Sequence, residues 1–147
     1  MDNHAPLTPL RDGTDLHTQA MFLAPAVLRI VIAGKDIGAE LDGLTRAVAI
    51  LQDDGDAMRD LVYGMASELA LTVEDKGMRG LVAEAKAALD PDTLAEAVRL
   101  GLAAIFVTDA GDDGDVGILS GIAESLGLSE EAFSTLYDSA KQAVGAT

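Results

Sequence analysis

A chain of 147 residues with a formal net charge of −15 is repelled by phosphate backbones and anionic lipid surfaces, which argues against a nucleic-acid partner and against direct docking on a membrane. Its 49% hydrophobic but only 3% aromatic content restricts the core to Ala, Leu, Val, Ile and Met, a palette for close helix packing and not for a β-sandwich. The absence of cysteine removes disulfides, thiolate metal sites and a cysteine nucleophile.

Residues 1–15 contain Pro6, Pro9 and Gly13 and are expected to form a flexible leader. No basic stretch leads into an apolar core there, so no signal peptide is expected and the location is expected to be cytoplasmic. The remainder, 16–147, is expected to fold as one domain. Its first helix spans about Leu16 to Ala33 and is apolar around most of its circumference, which predicts a central position. Pro25 is expected to kink or restart it. With Arg29 also interrupting it, the run is too short for a membrane span.

A turn follows at Ala33-Gly34-Lys35-Asp36-Ile37-Gly38. A second helix carries Leu41, Leu44, Val48 and Leu51 at helical spacing and stops at Gln52-Asp53-Asp54-Gly55. The acids of 53–56 read as helix-capping residues of a turn. A third helix carries Met58, Leu61, Val62, Met65 and Leu69, and a fourth carries Met78, Leu81, Val82, Ala85 and Leu89. The methionines fall on these stripes and are expected in the core.

Asp90 as cap and Pro91 at the first helical position open a fifth helix with the stripe Leu94, Val98, Leu102 and Ile105. Beyond an acidic loop, a sixth helix uses Ile118, Ile122 and Leu126, and Gly127 is placed to end it in a left-handed cap followed by Leu128. Ser129 caps a seventh helix with the stripe Phe133, Leu136, Tyr137, Ala140 and Val144. No segment alternates with period two. The expectation is an all-α, compact single-domain bundle of about seven helices with short connections. His4 and His17 lack the spacing of a helical zinc pair and are expected at the surface.

The acidic loop Thr108-Asp109-Ala110-Gly111-Asp112-Asp113-Gly114-Asp115-Val116 concentrates carboxylates between two apolar helices. Water offsets such crowding at a surface, where two like charges at 4 Å cost only about 1 kcal/mol. A hard divalent cation offsets it specifically, because it prefers several oxygen ligands. The turn at 33–41 repeats the arrangement: an apolar helix, glycine and acids, then a new helix whose positive end lies near the acids. Both readings remain open for Asp36, Glu40, Asp109, Asp112, Asp113 and Asp115.

These two turns, with Ile122-Ala123-Glu124-Ser125-Leu126-Gly127-Leu128-Ser129 following the second, resemble the TerB-like (tellurite resistance) family. Asp109 matches the family's leading Asp and Asp115 the later acid that opens the next helix. In the first turn, Asp36 matches the acid beside the hydrophobic residue and Glu40 the later acid. Gly34 stands where the first leading Asp belongs, and Ala110 separates Asp109 from Gly111. The resemblance implies an all-helical fold with its two acidic turns close in space. It also implies a non-enzymatic module that binds a divalent cation (calcium, magnesium or manganese) at Asp36, Glu40, Asp109 and Asp115, to which Asp112 and Asp113 are this chain's own additions as candidate ligands. The implied setting is a bacterial tellurite or related stress response, with protein partners, some of them membrane-associated.

The second loop also fits part of an EF-hand register, with Asp109 first, Asp113 fifth, Gly114 at the turn and Val116 as anchor. Gly111 at the third position and Ser120 at the twelfth depart from it, and losing the twelfth-position Glu removes a bidentate ligand. The competing expectation is a structural interaction module, such as a homodimer or adaptor, with no metal site. No phosphate loop, nucleophile elbow or distinguishable catalytic carboxylate pair is present, so an enzyme is not expected.

Overall fold

The computed structural model describes residues 16–33, 37–52, 58–109 and 113–145. They form six helices: α1 (Leu16–Ala33), α2 (Ile37–Gln52), α3 (Met58–Ala88), α4 (Pro91–Asp109), α5 (Asp113–Ser125) and α6 (Glu130–Ala143). No strand occurs among these residues, and none of the helices is long and apolar enough to cross a membrane. The expected leader and the acids of 53–56 lie outside the described residues.

Helices α1 and α4 occupy the middle. From Ala20 to Ile30 every side chain of α1 is buried, that of Pro25 included, within an unbroken helix. Proline at this point therefore neither ends α1 nor restarts it. In α4, residues 97–106 are all buried, Leu100, Leu102 and Ile105 completely. Helices α3 and α5 flank α1, while α2 and α6 flank α4. Gly101 lets this centre close up, because a Cβ there would stand 3.0 Å from Leu119 of α5 and 3.5 Å from the Ala26 backbone of α1.

Six helices stand where about seven were expected because α3 spans the expected third and fourth, which meet at a kink. Residues 70–76 carry no proline and stay helical, and only Gly77 leaves helical geometry, at φ 78° and ψ 169°. That conformation belongs essentially to glycine. The chain folds so sharply that a Cβ on Gly80 would lie 2.7 Å from the Lys76 Cβ, and the Lys76 ammonium reaches Glu84 at 3.4 Å across the kink. The kink also turns Met78 outward. It is 43% exposed, against the expectation of a core methionine, whereas Met21 and Met65 are buried.

The local stop and start signals act as expected. The Asp90 carboxylate accepts a hydrogen bond from the Thr93 amide at 2.8 Å. The Ser129 hydroxyl accepts one from the Ala132 amide at 3.1 Å. Gly127, at φ 94°, closes α5 with two bonds, from its own amide to the Glu124 carbonyl and from the Leu128 amide to the Ala123 carbonyl, both 3.0 Å. Helix α6 then docks on α4 through Ala140 and an edge-to-face contact of Tyr137 with Phe106, centroids 5.1 Å apart.

Candidate functional site

Arg29 lies four residues before the end of α1, and its side chain is 0% exposed. An ionised guanidinium there is unfavourable unless opposite charge meets it. Two carboxylates do so. Glu40, in the first turn of α2, places Oε1 3.0 Å from Arg29 Nη1, and Asp115, in the first turn of α5, places Oδ1 3.6 Å from the same nitrogen. Glu40 and Asp115 are 7% and 2% exposed. Neither is the water-facing acid of an exposed first turn.

Both carboxylates stand at the N-terminal ends of their helices, where the aligned peptide dipoles favour negative charge. Arg29 therefore ties together the starts of two helices that come from different halves of the chain. The contact is a close charge pairing and not a planar two-bond fork: Nε and Nη2 find no hydrogen-bond partner among the described residues.

Neighbouring contacts hold the same end of the molecule. The Tyr63 hydroxyl of α3 donates to Asp42 Oδ1 at 2.6 Å and lies 3.3 Å from the Gly38 carbonyl, which fixes the first turns of α2 beside Glu40. Arg46 of α2 donates to the Val107 carbonyl in the last turn of α4 at 3.4 Å, a cation at the negative end of the helix that leads into the acidic loop. Arg99, also buried, is served by Glu96 one turn earlier on α4 at 2.8 Å and faces α6 instead.

Of the six acids singled out in the sequence, the structure thus brings Glu40 and Asp115 together. Asp36 and Asp112 lie outside the described residues. Asp109 ends α4 and Asp113 opens α5, with side chains outside the described set. Among the described residues no three His, Cys, Asp or Glu side chains gather where they could hold a metal ion. Arg29 was legible only as an interruption of an apolar run. A single charge inside that run was the available signal, since a buried arginine requires an acid. Tyr63 carried no such signal beyond the amphipathic character of its side chain. Of the two histidines, His17 is exposed as expected, and His4 lies outside the described residues.

Comparison with family models, with curated proteins and with solved structures returned no match.

Proposed function

We propose that this chain is a non-enzymatic, TerB-like acidic module that holds a divalent cation at its paired acidic turns and presents the resulting surface to protein partners, in the setting of a bacterial stress response. The observation that supports this reading is the convergence of Glu40 and Asp115 on one nitrogen of Arg29. These two acids occupy the same position in the two turns that carry the family resemblance, and they come from opposite halves of the chain.

Arg29 stands between Glu40 and Asp115 and already supplies their positive charge, so these two are the anchor of the site and not its first ligands. The ion falls to the other acids of the two turns: Asp36, ahead of α2 in the sequence, Asp109 at the end of α4, Asp113 at the start of α5, and Asp112 before it in the sequence. That donor set is all carboxylate, without histidine or cysteine, and it suits calcium, magnesium or manganese over softer metals. Bound there, the cation would offset the mutual repulsion of these acids and would stiffen the junction of α4 and α5.

The test is thermal unfolding of chelator-stripped protein with added calcium, magnesium or manganese. Binding to the folded state raises the melting temperature, by about 2.7 kcal/mol of added stability at a hundredfold excess over Kd. The double variant Asp109→Asn/Asp113→Asn should lose that rise while folding normally. No rise in the wild type, or an equal rise in the double variant, rejects the reading.

A further inference from the structure

Arg99 is buried like Arg29 but sits against a different kind of space. Its side chain is 7% exposed, and its Nε donates to Glu96 Oε1 at 2.8 Å. That bond uses the Nε donor alone. Nη1 and Nη2 have no partner among the described residues. The nitrogens of Arg29 are sealed in the interior, whereas Arg99 borders an open cleft of about 710 Å³ between α4 and α6. Glu96 and Arg99 line its α4 wall, and Thr135, Leu136, Ser139 and Gln142 line its α6 wall.

A guanidinium withdrawn from water needs an acceptor at each remaining donor, and leaving donors unmet is unfavourable. Thr135, Ser139 and Gln142 recur at helical spacing and so present their polar groups on one face of α6. All three are neutral, and the Thr135 hydroxyl donates to the Glu131 carbonyl at 3.1 Å. Glu96 is the one acid among the described lining residues, and it already serves Nε. The fork of Nη1 and Nη2 therefore borders a polar cleft whose α6 wall supplies hydroxyl and amide groups but no counter-charge.

We propose that this cleft binds a small hydroxylated monocarboxylate, of the hydroxy-acid or sugar-acid class. The planar Nη1–Nη2 fork matches the two oxygens of a carboxylate. Thr135, Ser139 and Gln142 receive the hydroxyl groups, Glu96, 32% exposed, accepts from one of them, and Leu136 covers the carbon chain. Charge selects a single carboxylate over a phosphate. Arg99 and Glu96 together are neutral, so a monoanion adds one negative charge to a chain already at −15, and a dianion adds more. Size selects a small molecule, because the volume of the cleft falls in the range of small-ligand sites.

Titration of the isotope-labelled, metal-free protein, followed by its amide NMR shifts, tests the proposal. Sodium gluconate and sodium lactate are the probes, and sodium chloride at matched ionic strength is the blank. Both probes should bind saturably, gluconate the more tightly, with the moving amides confined to α6 and to α4 around Glu96 and Arg99. Arg99→Lys, which keeps the charge and loses the fork, should weaken gluconate by more than about tenfold. Ser139→Asp, at a partly exposed position, sets a fixed carboxylate beside the cleft. It should weaken gluconate as much while keeping the circular dichroism of the wild type. The proposal is overturned by the absence of saturable shifts, by shifts centred elsewhere, or by an affinity unchanged in either variant. Glucose or inorganic phosphate binding as tightly as gluconate overturns it too. None of these residues belongs to the acidic turns and no metal is present, so the outcome is independent of the cation reading.

Discussion

A guanidinium that has lost its hydration has given up several kcal/mol, and two buried carboxylates have done the same. The Arg29 cluster is therefore poor evidence for raw stability; what it does is bring the starts of α2 and α5 to one point on α1, where Nη1 meets Glu40 and Asp115 together. The corollary is asymmetric. Arg29→Met should cost about 3–5 kcal/mol, because it removes the buried counter-charge of two interior acids. Adding Glu40→Gln and Asp115→Asn to the same chain should recover most of that loss. Urea unfolding of the wild type, the single and the triple variant checks both statements, and a single variant as stable as the wild type would refute the clamp. The sequence announced the problem that Arg29 poses but not its solution. Glu40 and Asp115 were readable as acids at helix starts, yet nothing local marked them as interior.

Individual helices were more legible, because what starts and stops a helix lies within a few residues. Asp90, Gly127 and Ser129 all do what their local pattern predicts. Asp90 has a consequence in acid. The amide and hydroxyl of Thr93 hold its carboxyl below the ordinary value of 3.8. A lowered folded-state value means that its contribution is fully present above 3.8 and is lost as the pH falls through the depressed value. The stability difference between the wild type and Asp90→Asn should accordingly be constant near neutrality and shrink in acid, as urea unfolding across a pH series would show. The α3 kink was less legible. Helix-compatible residues at 70–76 gave no reason to expect either a loop or a continuation, and the fold takes the continuation up to Gly77. Gly77→Ala should cost about 1–3 kcal/mol from its glycine-only backbone angles. The melting temperature should fall while far-ultraviolet helix content is unchanged.

At the scale of the whole molecule, charge and hydrophobicity act in different places. The apolar residues are spent on α1 and α4, which are buried on nearly every side. The excess acid is carried by the outer helices and the turns. By itself the sequence determined the helical class, most helix ends and the small-residue core, because periodicity, capping and side-chain volume are local properties that survive without knowledge of neighbours. Tertiary structure alone decided which acids face Arg29, that Met78 turns out to solvent, and that Arg99 borders the cleft between α4 and α6. Each of these depends on which helices abut and at what angle. That is fixed by the packing of side chains distant in sequence, and no window along the chain contains both partners.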